Sequence, residues 1–324
     1  MSSGATSPPT GDQPVATTTL AVDLGGTHLR AAVVAGDGTV LSRRRRTTPT
    51  DAPVPDAVPE LVVELLEAWT GDAPVGDGPA GAPEPPGRAV VGLPGIIDHE
   101  REALVHAANL PPAWTDHLNE GWLAERIGCP VSLANDADLA AVGESSFGAG
   151  RDHRDVVFVT ISTGVGAGLV VDDRLVRGAL SGGELGHTVI DRVAAVAGRP
   201  ATVEDLGSGT AIGRRAAEAG LTERGPALAE LVRSGDEAAA EIWRSAIEAV
   251  AIGLANLAWT VTPGIVVVGG GVGMNGDLVL PIIRDGLRRF GPAEVPEIEV
   301  ANAALGDDAA LVGAANWWKA VGRD

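Results

Sequence analysis

Residues 20–27 read Leu-Ala-Val-Asp-Leu-Gly-Gly-Thr, an apolar run interrupted only by Asp23 and ended by Gly25, Gly26 and Thr27. A run this short and apolar predicts a buried strand. Glycines directly after it let backbone N–H groups approach phosphate oxygens with no Cβ in the way. Taken alone, the Asp23 to Thr27 turn fits a tight corner as well as a phosphate site. Working outward, a second apolar run covers Leu29 to Ala35, Gly36-Asp37-Gly38 makes a turn, and a third run begins at Val40, so a hairpin is expected. Arg43 to Arg46 fall on that third strand. Such a run can mark a phosphate or nucleic-acid site, but on an edge strand it more often blocks edge-to-edge pairing, which is the reading adopted.

The chain has 324 residues, more than one hydrophobic core usually organises, so two unequal lobes are expected. Its formal net charge is −19, which disfavours nucleic acid and anionic membrane surfaces as partners. Hydrophobic residues make up 45%, enough for sizeable cores, and aromatic residues are too sparse for a base-stacking surface. The single cysteine, Cys129, excludes an intramolecular disulfide and a cysteine-rich zinc cluster and fits a reducing compartment. The longest apolar stretch, Ala249 to Val261, is too short to span a membrane and reads as a buried helix. Residues 1–17, rich in Ser, Thr, Pro and Gly, lack the features of a secretory signal and read as a disordered tail, so a cytoplasmic location is expected.

Strands and helices alternate along the rest. Helices are expected over Val58 to Trp69, Leu118 to Ile127, Asp136 to Phe147 and Asp308 to Lys319, with a Gly/Pro/Ala-rich loop from Gly71 to Gly87. Trp243, Ile247, Val250, Leu254 and Leu257 mark one face of a long helix. Arg88 to Leu93, Val131 to Ala134, Val156 to Ser162, Gly168 to Val171 and Ile265 to Val268 read as strands, which predicts an α/β fold with mixed sheets. Two further strands end in glycine turns, Thr163-Gly164-Val165-Gly166 and Gly269-Gly270-Gly271. Neither is a Walker A loop, since no Gly-Lys-Ser/Thr follows. Three phosphate-type turns together argue for a nucleotide cleft between two similar halves.

The motifs AVDLGGTHLRAAVV (21–34), LANDADLAAVGE (133–144), VTISTGVGAG (159–168), SGGELGHTVID (181–191) and VVVGGGV (266–272) occur in the order seen in the ROK family of sugar kinases and repressors. The chain resembles a ROK hexose kinase of the glucokinase type over roughly residues 18 to 320. The resemblance implies an actin-like ATPase (ribonuclease H-like) fold with two lobes around a central cleft. The small lobe would hold residues 18–134 plus about 307–324, and the large lobe 135–306. It implies ATP-dependent phosphorylation of a hexose hydroxyl, glucose to glucose 6-phosphate by default, with Asp136 as general base. Another polyol (an N-acetylated amino sugar, fructose, mannose or a cyclitol) and a non-catalytic sugar-sensing protein are the alternatives. Gly95, Asn109, Asn135, Asp136, Glu184, His187 and Glu204 would hold the sugar. Asp23, Gly25, Gly26, Thr27, Thr163, Gly164, Gly166, Gly270 and Gly271 would hold ATP and Mg²⁺. A homodimer or homotetramer is implied.

The residue chemistry agrees: a sugar hydroxyl must lose its proton as the phosphoryl group arrives, and a positioned carboxylate can take it. Asp136 also sits where a helix begins, where an acidic residue serves as a cap, a role for which Asp138 looks better suited. Glu204 has the same alternative, as a carboxylate favouring a helix N-terminus. One departure stands out. Where relatives carry a CxCGxxGCxE zinc element, residues 191–200 contain no cysteine, so no structural zinc is expected. Val193 and Val196 are expected to brace that loop by apolar packing instead. His28 is expected to be exposed, and Trp317-Trp318 to pack the terminal helix.

Overall fold

The computed structural model describes residues 18–70, 84–107, 109–222, 225–293 and 297–323; the expected tail 1–17 and most of the 71–87 loop lie outside the described residues. The first strand, Thr18–Leu24 (β1), is buried along almost its whole length because its two faces feed two different cores. Leu20, Val22 and Leu24 pack with Leu29, Ala31 and Val33, while Ala21 turns the other way with Ala32 and Val34. This is the period-two alternation of a strand covered on both sides.

β1 forms an antiparallel meander with His28–Ala35 (β2) and Val40–Thr47 (β3), as the Gly-Asp-Gly turn predicts, and β3 lies at the sheet edge. Helix Ala57–Thr70 (α1) lays Val58, Leu61 and Leu65 on this sheet and leads to Ala89–Leu93 (β4), parallel to β1. A hairpin of Ile96–Asp98 (β5) and Ala103–His106 (β6) follows. Helix Glu120–Ile127 (α2) is capped by Asn119, whose Oδ1 accepts from Trp122 N–H at 2.8 Å, and ends at Gly128 in the left-handed region. Val131–Asn135 (β7) completes the first sheet, order β3-β2-β1-β4-β7.

Helix Asp136–Phe147 (α3) passes between the two sheets, with Leu139, Ala140, Ala141 and Val142 in the core they share. The second sheet repeats the plan of the first. Val156–Ile161 (β8), Val165–Val171 (β9) and Arg174–Leu175 (β10) form the antiparallel part. Five helices follow before the next strand: Arg192–Val196 (α4), Val203–Gly207 (α5), Gly209–Glu218 (α6), Gly225–Arg233 (α7) and Glu237–Val261 (α8). Ile265–Gly269 (β11) then lies parallel to β8, and after Gly270–Gly273 (α9) and Gly276–Phe290 (α10), Glu299–Asn302 (β12) lies parallel to β11. The order β10-β9-β8-β11-β12 therefore matches the first sheet strand for strand. Two similar halves, expected from the paired glycine turns, are present in the backbone without a sequence repeat.

The heptad-like face of α8 is buried as expected: Trp243, Ile247, Val250 and Leu254 pack on Val157, Val159, Val266 and Val268. The C-terminal segment corrects one expectation. Instead of one helix from Asp308 to Lys319, two short helices, Ala309–Gly313 (α11) and Trp317–Ala320 (α12), are joined by a tighter turn at 314–316. The small residues let α11 press directly on α3, where a Cβ on Gly313 would lie 1.9 Å from the Leu139 carbonyl oxygen and one on Gly143 would lie 2.2 Å from that of Ala309. The tightened turn aims Trp317 inward, fully buried, its Nε1–H donating to Ser132 Oγ at 3.0 Å. No helix among the described residues is long and apolar enough to cross a membrane.

Candidate active site

The carboxyl ends of β1, β4, β7 and β8 open onto one cleft of about 950 Å³, the place where sheets of this kind bind ligands. Asp23, Gly25, Gly26, Thr27, Gly95, Asn109, Asn135, Asp136, Thr163, Gly164, Gly166, Glu184, His187 and Glu204 all line it. A second cavity of about 430 Å³ shares Ser162, Thr163 and Thr210 with the cleft and adds Gly271, Val272, Trp243 and Asn275. Gly270 lines neither. It follows β11 with φ +82°, against the end of β8, where a Cβ would lie 2.5 Å from the Ile161 carbonyl oxygen.

Asn135 makes the junction between β7 and α3. Its Oδ1 accepts from the N–H groups of Ala137 (2.8 Å) and Asp138 (3.2 Å), and its Nδ2 donates to the Gly95 carbonyl at 3.0 Å. One side chain thus caps the helix and fixes the loop after β4, holding Asp136 at the first helical position. Asp136 Oδ1 also accepts from Ala137 N–H at 2.8 Å. Burial, then the nearby charge of Asp23, pushes the Asp136 carboxyl up to about 7, against the pull of the Ala137 N–H. A carboxylate tuned to that range can both accept and hold a proton near neutral pH.

Asp138 does not cap the helix, a correction to the sequence reading. It is fully buried, neither carboxyl oxygen has a hydrogen-bond partner among the described residues, and burial with the Glu184 and Asp136 charges holds its pKa well above the carboxylate range. The cap is taken by Asn135 because it lies one residue before the helix and its side chain reaches the free N–H groups.

Asp23 ends β1 beside Asp136. Arg30 on β2 donates from Nε to Asp23 Oδ2 at 2.9 Å, with a second, shorter contact from Nη2. Glu184 and His187 flank a single tight turn, 3.8 Å apart between carboxylate oxygen and Nε2. Burial raises the Glu184 pKa, opposed by His187 and reinforced by Glu204. Glu204 stands in the first turn of α5 and accepts from Val165 N–H at 2.9 Å, tying it to the glycine hairpin between β8 and β9. The helix-terminal and site roles weighed for this residue therefore coincide. His28 is exposed, at the rim of the cleft.

The cysteine-free loop is not braced by its valines: the side chains of Val193 and Val196 point to solvent, with Val196 81% exposed. Polar and backbone contacts hold it. Asp191 Oδ1 caps α4 through Ala194 N–H (2.9 Å), Ile190 N–H donates to the Ala201 carbonyl (2.9 Å), and Thr202 and Asp205 cap each other at the start of α5. Among the described residues, no group of three or more His, Cys, Asp or Glu is placed to hold a metal. Arg30, Arg45, Thr210, Arg214 and Asp307 also line the cleft and escaped the sequence reading. Arg45 lay in the arginine run, and its place on the strand was the available signal.

The sequence pattern of the ROK family matches residues 19–321. The glucokinase of Streptomyces coelicolor is 33% identical over 322 residues, covering 92% of this chain and 96% of its own. The N-acetylmannosamine kinase of Haemophilus influenzae is 29% identical over 305 residues, covering 93% and 95%. Among solved structures, a ROK family glucokinase from Streptomyces griseus in complex with glucose and AMPPNP matches with a TM-score of 0.72 at 30% identity, over 93% of this chain and 98% of that one. With the motifs gathered on one cleft and the match running from residue 19 to 321, the chain belongs to the ROK family and has its actin-like ATPase fold.

Proposed function

We propose that this chain transfers the γ-phosphoryl group of ATP to a hydroxyl of glucose, giving glucose 6-phosphate. It is a sugar kinase, and the observation that carries the finer reading is Asp136: a carboxyl pushed up to about 7, at the meeting point of a polar pocket and two glycine turns. As the new sugar-oxygen to phosphorus bond forms and the bond to the ADP leaving oxygen breaks, Asp136 accepts the hydroxyl proton. Asn109, Glu184, His187 and Glu204 offer the donors and acceptors that ring hydroxyls need. The amides around Gly25, Gly26, Gly164 and Gly166 offer hydrogen bonds to phosphate oxygens, and the second cavity, with Gly271, fits the nucleoside.

Magnesium on the donor phosphates would neutralise charge as the leaving group departs. Asp23 fits an outer, water-mediated role: Oδ2 is engaged by Arg30, and Oδ1 carries no hydrogen bond among the described residues. No structural zinc is proposed, because residues 191–200 offer no thiolate and His187 is turned to solvent. We assign residues 18–134 and 307–324 to one lobe and 135–306 to the other, and expect a cytoplasmic homodimer or homotetramer.

N-acetylmannosamine is the second reading, since a relative of comparable coverage is named for it. Release of ADP against a panel of glucose, mannose, fructose, N-acetylmannosamine, N-acetylglucosamine and inositol tests both. Highest kcat/KM with glucose supports the first. Preference for an N-acetylated sugar replaces it with the second. Sugar binding with no ADP release would make the chain a sensor.

A further inference from the structure

The arginine run of β3 divides by strand geometry. Neighbouring side chains on a strand point to opposite faces. The cross-strand register pairs Asp23 with Arg30 and Arg30 with Arg45, so these three residues form one row across β1, β2 and β3 on the face that meets the cleft. Arg46, on the other face, is held by Glu60 (3.1 Å) and Glu64 of α1 (2.5 Å). Arg43 shares the face of Arg45 and is held by Asp308 at 3.2 Å. Arg44 donates to the Arg43 carbonyl at 3.0 Å and lies outside the cleft. Arg45 lines the cleft and has no hydrogen bond or ion pair among the described residues.

Arg214, on α6, enters the same cleft from beside the second sheet. Its only hydrogen bond among the described residues goes to the Asp205 carbonyl, at 3.3 Å, and it has no carboxylate partner. Of the three arginines lining the cleft among the described residues, Arg30 is ion-paired with Asp23, while Arg45 and Arg214 make no ion pair, Arg214 only feeling the charge of Asp205 at longer range, so these two guanidinium groups are free to meet an anion. The other carboxylates and arginines of the lining leave an acidic balance, with Asp136, Glu184, Glu204, Asp205 and Asp307 set among neutral residues. A chain of phosphates entering such a cleft gains hydrogen bonds from glycine amides but no net charge, and guanidinium groups supply both.

We propose that Arg45 and Arg214, one from the first sheet and one from α6, grip the outer phosphates of the phosphoryl donor, a triphosphate tail whether of a nucleotide or of inorganic polyphosphate. The proposal deepens the kinase reading and rests on it for the identity of the tail as donor. Three of the four arginines serve the edge or its neighbours, and the fourth serves the site.

The test is calorimetric binding of ATP, ADP and inorganic tripolyphosphate to the full chain and to Arg45→Ala, Arg214→Ala, the double variant and Arg44→Ala, with donor and sugar KM measured alongside. Melting curves confirm that each variant folds. Arg45→Ala and Arg214→Ala are each expected to weaken ATP and tripolyphosphate binding tenfold or more, to weaken ADP less, and to leave sugar KM within about twofold. Arg45→Lys should recover part of the loss, and Arg44→Ala should match the parent. Loss with ATP alone assigns the grip to the nucleotide; loss with both assigns it to any phosphate chain. Donor binding within threefold of the parent in both alanine variants overturns the proposal. Because binding is read without turnover, a parent that grips ATP through these arginines yet phosphorylates no sugar would refute the kinase reading and leave the clamp standing.

Discussion

The carboxylate of Glu204, in the first turn of α5, accepts the backbone N–H of Val165 at 2.9 Å, across 39 positions of sequence. One carboxylate thus lines the cleft and holds the hairpin carrying Gly164 and Gly166. The packing is tight enough that a Cβ on Gly164 would lie 2.4 Å from Glu204 Oε2. Glu204→Gln keeps an acceptor and should preserve the hairpin, while Glu204→Ala leaves Val165 N–H unpaired. The alanine variant is expected to raise both sugar and donor KM and to lose about 1–3 kcal/mol of stability, read by steady-state kinetics and urea melts. A rise in sugar KM alone would confine Glu204 to the pocket.

Asp136→Asn removes the proposed proton acceptor but keeps shape. Turnover is expected to fall by about 10²-fold or more, with sugar binding retained. In the parent, kcat/KM for the sugar should climb with pH and level off above about 7, because the proposed base works only when ionised and this ratio reports the free chain.

The same shift has a stability consequence of definite sign. The folded chain holds the Asp136 proton more tightly than the unfolded chain, so its contribution is full at low pH and is lost as pH rises from about 4 towards 7. Asp136→Asn escapes that loss and should melt higher than the parent at pH 8, by at most about 4 kcal/mol, with the advantage shrinking towards pH 4. Parallel melting curves at the two pH values check it, and a constant difference would contradict the assignment.

Burial and the charges of Glu184 and Asp136 hold the Asp138 carboxyl well above the carboxylate range, and its oxygens have no hydrogen-bond partner among the described residues. Asp138→Asn is therefore close to a neutral exchange and should leave kcat at pH 7 within a few-fold. The parent should lose stability as pH rises above about 4, because the unfolded chain ionises this group while the folded chain holds its proton, and the variant should be spared that loss. Melting curves of parent and variant from about pH 4 upward separate the two.

Helix α3, which carries Asp136, is seated on α11 through Gly143 and Gly313, where no side chain fits. Gly313→Ala is expected to cost about 1–3 kcal/mol by overpacking and to lower kcat more than it changes sugar KM, because the base moves with its helix. Unchanged melting would show that the two helices separate at little cost.

Much of this molecule was legible from local pattern. Apolar runs ending in glycine gave the strands that open on the cleft, because burial on both faces demands continuous hydrophobicity and a turn against phosphate demands a missing Cβ. Asp136 to Phe147 was readable as a helix to the residue, since an Asn before an Asp-rich first turn is itself a start signal. The arginine run was readable as an edge strand. Harder to see were the short helices between β10 and β11, whose boundaries depend on caps and packing.

What sequence order alone determined is the inventory: two sets of strands, their glycine turns, and the carboxylates placed at strand ends and helix starts. What only the tertiary structure decided is which of equivalent groups faces the cleft. Asp136 and Asp138 are two positions apart on one helix, yet one faces the cleft and the other is sealed beneath it. Arg43 and Arg45 share a face, yet only Arg43 meets a carboxylate, brought to it from 265 residues away. Charge and solvation are set by neighbours in space, and a carboxyl or guanidinium acquires its chemistry only when the folded chain supplies them.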